Sequence, residues 1–175
     1  MPSAAVITVS DSCFQGTRID LSGPAVAELL RANGFQVQRQ IVVPDEQPEI
    51  EENLRDLAQH FPLVVTTGGT GIAPRDVTPE ATRAVCNRLL DGVAELMRAE
   101  GRQETVYSAL SRALCGVRGK SLILNLPGSP RGATTSLRAV LPLLTHTMTL
   151  LDGSGSHPHH DEPVVPGAGQ AGSDR

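Results

Sequence analysis

The stretch LVVTTGGTG, residues 63–71, decides how the rest of the chain is read. Its opening run, LVVTT, is apolar, rich in β-branched residues and too short for a helix, so it reads as a buried strand. The strand passes without a break into Gly68-Gly69-Thr70-Gly71. A backbone without Cβ atoms folds tightly there and turns several N–H donors toward one point, forming a nest for an anion such as phosphate. A tight structural turn is the alternative reading. The loop is not a P-loop, because no Gly-Lys-Ser/Thr follows at the required spacing, and Pro74 occupies the third glycine position of the dinucleotide fingerprint.

Working outward, residues 4–10 (AAVITVS) read as a first buried strand and residues 35–43 as a second, broken by Pro44-Asp45. Residues 121–126 (SLILNL) form a further strand, halted by Pro127-Gly128. Between them lie helices. One opens at Gly23-Pro24 and stops at Asn33-Gly34, where glycine supplies the left-handed residue that ends helices. Ile50, Leu54, Leu57 and Ala58 place one apolar stripe on a second. Thr78-Pro79-Glu80 reads as a helix start, with Thr78 as hydroxyl cap. Residues 89–118 are helical or irregular. Leu137, Val140, Leu141, Leu144, Met148 and Leu151 mark a long amphipathic helix that Pro142 should bend or break. Strands alternating with helices predict a three-layer α/β/α fold around a mostly parallel sheet. The expected organisation is one domain over residues 1–151 and a disordered tail over 152–175, rich in Gly, Ser, Pro and His.

Composition excludes several classes. At 175 residues the chain buries one sizeable core, and with no Trp, one Tyr and three Phe that core is built from Val, Leu, Ile and Ala. A net charge of -4 without any Lys/Arg run argues against nucleic acid. No apolar run approaches the roughly 18 residues of a membrane span, and Met1-Pro2-Ser3 leads straight into a strand without a basic flank, so a cytoplasmic protein is expected. Cys13, Cys86 and Cys115 are odd in number and widely spaced, which fits neither a disulfide framework nor a metal site; Cys86 and Cys115 are expected as buried free thiols.

In an open parallel sheet, ligands bind at the carboxyl ends of the strands. Those ends carry Ser10-Asp11-Ser12, Pro44-Asp45-Glu46, Thr67-Gly68-Gly69-Thr70-Gly71 and Pro127-Gly128-Ser129. Asp45 and Asp76 suit the one or two carboxylates that Mg²⁺ takes when it rides on nucleotide phosphates. A turn role for Asp45 and a surface pairing of Asp76 with Arg75 are the competing readings.

Taken together these loops resemble the molybdopterin adenylyltransferase family, the MogA-type enzymes and the G domains of gephyrin-like proteins. The resemblance rests on VSDSC (9–13), VPDE (43–46), TTGGTGIAPRDVTPEA (66–81), LSR (110–112), CGVRGK (115–120) and NLPGS (125–129), and it spans roughly residues 5–151. It implies transfer of AMP from ATP to the phosphate of molybdopterin, Mg²⁺ dependence, a homotrimer and hand-off to a molybdenum-insertion protein. It places the essential, metal-holding aspartates on Asp45 and Asp76. Substrate binding falls on Ser10, Asp11, Thr67, Gly68, Gly69, Thr70, Gly71, Arg75, Ser111, Pro127, Gly128 and Ser129. Leu21 departs from the pattern, where a polar residue is expected. Phosphoryl transfer needs positioning and neutralised charge rather than a protein nucleophile, with Arg75, Lys120 or Arg131 as candidate cations. A non-catalytic binding module and a paralogue with another phosphorylated substrate share the glycine loop; the presence of both aspartates favours the enzyme.

Overall fold

The computed structural model describes residues 1–153. Six strands form one sheet: β1 (Ser3–Val9), β2 (Gln36–Val43), β3 (Leu63–Thr67), β4 (Arg88–Leu89), β5 (Cys115–Arg118) and β6 (Ser121–Leu126), in the order β2-β1-β3-β6-β5-β4. The first four in that order are mutually parallel, while β5 runs antiparallel to both β6 and β4. The register sets Val9 beside Val43, Thr8 beside Thr67 and Thr67 beside Leu126. The four parallel strands therefore end along one edge, as expected.

Alternate residues of the parallel strands feed two cores, which is why these runs are apolar throughout rather than every second residue. Ala4, Val6, Leu63, Val65, Leu122 and Leu124 face a core closed by α2 (Ser22–Ala32), α5 (Asp91–Glu104) and α6 (Pro130–Asp152). Ala5, Ile7, Val64 and Ile123 face the other, closed by Ile50, Leu54 and Leu57 of α3 (Gln47–His60) and by Ala81 and Val85 of α4 (Thr78–Val85). This is the three-layer α/β/α architecture. A single-turn helix, α1 (Asp11–Phe14), follows β1 directly.

Two local expectations are corrected, and a third, the bend or break at Pro142, is narrowed to a helix without a break. Part of residues 89–118 is strand: β5 escapes a propensity reading because Gly116 sits inside it, at a place where a Cβ would strike the Cys86 side chain. Thr78 is the first residue of α4 rather than its cap, and its hydroxyl instead donates to the Gly68 carbonyl. α6 starts at Pro130, capped by the Ser129 hydroxyl accepting from Gly132 N, and it runs through Pro142 without a break. Pro142 lies on the solvent side, so the missing N–H is not stranded in the core, and Leu137, Val140 and Leu144 anchor the helix on either side. Gly153 closes α6 in the left-handed conformation; the rest of the segment read as a tail, including His157, His159 and His160, lies outside the described residues.

Candidate active site

The glycine loop owes its path to two positive φ angles, 93° at Gly68 and 61° at Gly69. A Cβ at Gly68 would sit under 3.0 Å from the Val9 carbonyl, and one at Gly69 would collide with the Thr78 hydroxyl. Thr78 pins the turn by donating its hydroxyl to Gly68 O at 2.9 Å and its amide to Gly69 O at 3.1 Å. The Gly68 amide is spent on Leu126 O. Among the described residues the amides of Gly69, Thr70 and Gly71 donate to no protein acceptor, which leaves these three free to meet an anion. Gly128 brings the β6 loop against the same turn, since a Cβ there would lie 3.2 Å from Gly68 Cα.

Asp11 and Asp45 lock the ends of β1 and β2 together reciprocally. The Asp11 amide donates to Asp45 Oδ2 at 2.8 Å, and the Asp45 amide donates to Asp11 Oδ1 at 3.0 Å. Arg75 reaches across the edge to hold Asp11 with Nε and Nη2, both at 2.9 Å, and Glu46 with Nη1 at 2.8 Å. The surface pairing of Arg75 with Asp76 is thereby corrected: Asp76 Oδ2 accepts from Ala73 N at 2.8 Å and leaves Arg75 to other carboxylates. Burial pushes the Asp45 carboxyl above its ordinary range; the Asp11 amide opposes this, the charges of Asp11 and Asp76 add to it, and Arg75 opposes it. Asp45 and Asp76 each keep an oxygen that accepts no hydrogen bond among the described residues.

These groups line two cavities that share a wall. The larger, of about 690 Å³, is bounded by Ser10, Asp11, Asp45, Thr67, Gly68 and Arg18. The smaller, of about 490 Å³, is bounded by Thr70, Gly71, Tyr107, Leu110, Ser111 and Pro127. Gly69, Asp76, Gly128 and Ser129 line both. Thirteen of the residues anticipated from sequence thus meet at one sheet edge, and Arg75 braces it from outside. Lys120 does not belong there: it sits in the β5–β6 turn, at the opposite end of β6, paired with Asp152 at 2.9 Å. Arg131, on the first turn of α6, is paired with Glu104 and lines neither cavity.

The structure adds residues that the sequence reading did not single out. Arg112 donates to Gly71 O at 2.7 Å, to Asp76 O at 2.6 Å and to Glu80, while its amide donates to Thr70 O. It fastens the whole Asp76 segment to the strand-end loop. Its signal was the LSR motif, but nothing local revealed which carbonyls it would reach. Arg18 lines the larger cavity and donates to Ser10 Oγ at 3.3 Å. Asp20 accepts from Thr8 Oγ1, Ser22 Oγ and Gly23 N, which closes that cavity's side, and the departing residue Leu21 lies exposed on it.

The α/β/α fold sets free loop amides beside two carboxylates at the edge of a parallel sheet, the place where such folds bind ligands and an arrangement suited to phosphate groups. The chain belongs to the family described as the probable molybdopterin binding domain, whose model matches residues 5–146. It is 42% identical over 154 residues to the molybdopterin adenylyltransferase of Helicobacter pylori, covering 85% of this chain and 87% of that one. It is 38% identical over 169 residues to the molybdenum cofactor synthesis protein cinnamon of Drosophila melanogaster, covering 94% of this chain but spanning only 28% of that longer protein. Among solved structures it resembles the molybdopterin biosynthesis enzyme MoaB of Thermus thermophilus, with a TM-score of 0.83, 50% identity, and coverage of 87% of this chain and 98% of that one. The molybdopterin biosynthesis Mog protein of Mycobacterium ulcerans matches with a TM-score of 0.81 at 38% identity, covering 86% and 99%.

Proposed function

We infer that this chain is a molybdopterin adenylyltransferase of molybdenum cofactor biosynthesis, moving AMP from ATP onto the molybdopterin phosphate and releasing pyrophosphate. The observation that carries the reading is the juxtaposition of Asp45, Asp76 and the three unpaired amides of Gly69, Thr70 and Gly71 on cavities that share one wall. Two cavities with a common wall suit two phosphorylated substrates that must meet. A phosphate oxygen of molybdopterin attacks the α-phosphorus of ATP, a P–O bond forms, and the bond to the β-phosphate bridging oxygen breaks, its electrons leaving with pyrophosphate. No protein nucleophile enters. The loop amides hold phosphate oxygens, and Arg18 offers a cation to the larger cavity, where the Gly69 amide also lies.

The donor set suits Mg²⁺. Asp45 and Asp76 are hard oxygen ligands with one free oxygen each, and their mutual repulsion is a charge that a cation relieves. Mg²⁺ held there by Asp45 and Asp76 would neutralise charge on the ATP phosphates. Ser10, Asp11, Thr67, Gly68, Ser111, Pro127, Gly128 and Ser129 shape and line the two substrate seats, while Arg75 keeps Asp11 in place. The protein works in the cytoplasm as a homotrimer and passes its product to a molybdenum-insertion protein. No helix of the described residues is long and apolar enough to cross a membrane.

The test is single-turnover incubation with molybdopterin, ATP and Mg²⁺, following pyrophosphate and adenylylated product beside Asp76→Asn. Product from the wild type alone is expected. Product formed equally by Asp76→Asn would remove that residue from the chemistry, and molybdopterin binding without product would overturn the transferase reading.

A further inference from the structure

Tyr107 is the chain's one tyrosine, and the chain has no tryptophan. It stands on the 3-10 turn Val106–Leu110, beside the smaller cavity, and is 75% exposed. Its phenol makes no hydrogen bond among the described residues. Ile72, 69% exposed, and Leu110, 51% exposed, line the same cavity. Large apolar side chains scattered singly on a surface need no explanation, but here three of them rim one concavity. The same cavity also carries polar groups: the free amides of Gly69, Thr70 and Gly71, the Asp76 carboxylate and Ser129. The cavity is therefore mixed: one aromatic and two aliphatic side chains stand on it together with free amides, the hydroxyls of Ser108 and Ser111 and the carboxylates of Asp76 and Glu104. A ligand that matches both kinds of lining has a flat apolar part and a phosphate tail. Its volume of about 490 Å³ lies within the roughly 300–1,000 Å³ of small-molecule sites.

We propose that Tyr107, with Ile72 and Leu110, grips the face of a fused aromatic heterocycle whose phosphate tail reaches the glycine loop and Asp76. Stacking on a tyrosine face tolerates any planar ring, while the aliphatic pair closes the seat without demanding polar partners. Within the proposed function two substrates belong to this class, an adenine nucleotide and a phosphorylated pterin, so the inference rests on that reading for its choice of ligands. Tyr107 sets affinity for one of them. The chemistry stays with Asp45 and Asp76.

The sequence makes the test clean, because tyrosine emission from the full chain reports Tyr107 alone. The protein is titrated with ATP in one arm and with molybdopterin in the other, each corrected for ligand absorbance against free tyrosine, and binding of both is measured by equilibrium dialysis. Saturable loss of emission is expected in one arm, which identifies the ring that sits on Tyr107. Tyr107→Ala is expected to weaken binding of that ligand by about five- to a hundredfold, and Tyr107→Phe to restore it, as stacking without the hydroxyl requires. In turnover the effect should fall on KM for that substrate more than on kcat. Unchanged emission in both arms, with Tyr107→Ala binding both ligands as the wild type does, overturns the proposal. A wild type that releases no pyrophosphate would sink the transferase reading while leaving the emission and dialysis measurements to decide this one.

Discussion

Replacing Gly68 by alanine separates two costs that usually come mixed. Gly68 and Gly34 both have positive φ, 93° and 84°. A methyl at Gly34, just past α2, meets nothing within 4 Å, whereas one at Gly68 lands under 3.0 Å from the Val9 carbonyl. Both variants pay for a left-handed L-residue, about 1–2 kcal/mol. Only Gly68→Ala also forces atoms apart, and the obstacle is backbone rather than a yielding side chain. Val9 cannot retreat cheaply: it is the last residue of β1, it is buried, and the next amide, that of Ser10, bonds Val43 O at 2.9 Å. Overpacking of this kind costs roughly 1–3 kcal/mol, so Gly34→Ala should lose about 1–2 and Gly68→Ala about 2–5 kcal/mol. Urea unfolding followed by circular dichroism, with the m-value checked for constancy, measures both. Equal losses in the two variants would refute the claim that close approach of the glycine loop to β1, and not φ alone, makes Gly68 obligatory. The displaced turn should also lower turnover of the folded protein, because the amides that follow Gly68 move with it.

Arg112→Ala should lower kcat by about ten- to a hundredfold, because it frees the segment carrying Asp76, and misplacement of that size costs catalysis heavily; partial rescue by raised Mg²⁺ separates misplacement from simple loss of stability, and an unchanged kcat removes the positioning role. Asp45→Asn should abolish turnover yet raise the apo protein's melting temperature at neutral pH, since burial disfavours the Asp45 charge. Its sign follows from the raised folded-state pKa: the native state holds the proton more tightly, so Asp45 costs the fold stability as pH rises from the ordinary carboxylate range through the raised value. The advantage of Asn should therefore shrink toward acid pH, and a gap that widens there would contradict it. Burial pushes the Cys86 thiol up to about 11 and the Cys115 thiol up to about 12, so at mildly alkaline pH iodoacetamide should label Cys13, on the larger cavity, well before either; rapid labelling of Cys115 would show that β5 opens readily.

Much of this was legible because the fold's main decisions are local. LVVTT, AAVITVS and SLILNL are continuous apolar runs halted by Gly or Pro, and a strand buried on both faces leaves just such a trace. Residues 115–118 left none, since their strand character comes from pairing with β6 and from Cys86 filling the space beside Gly116. The same division holds at the site. Gly68, Gly69 and Asp45 announce themselves by residue type next to strand ends, and Asp76 just past the glycines, but which carboxylate an arginine will hold is a tertiary fact. Arg75 adjoins Asp76 in sequence and bonds Asp11 and Glu46 in space, and Lys120, three-dimensionally, belongs to the other end of the sheet.

The disposition of charge explains why the site sits where it does. Asp11, Asp45 and Asp76 converge on one edge with Glu46 close by, and Arg75 is committed to Asp11 and Glu46. The protein therefore keeps Asp45 and Asp76 under mutual repulsion, with Asp45 partly desolvated, a cost that the Asp11 amide on Asp45 offsets only in part. The surrounding framework tolerates it because the strand ends are held by other bonds as well: the Asp11–Asp45 amide exchange joins β1 to β2 through one Asp45 oxygen, Thr78 ties the glycine turn to α4, and buried Asn125 donates to Thr66 and Thr82 beneath them. On the proposed function, a cation arriving with nucleotide phosphates would relieve the repulsion and meet oxygens already in position, so little binding energy would be lost to reorganisation. On this reasoning Mg²⁺ with ATP should raise the melting temperature of the wild type more than that of Asp45→Asn or Asp76→Asn. Thermal shift with and without chelator measures the difference, and an equal rise in all three would mean that the carboxylates do not hold the metal.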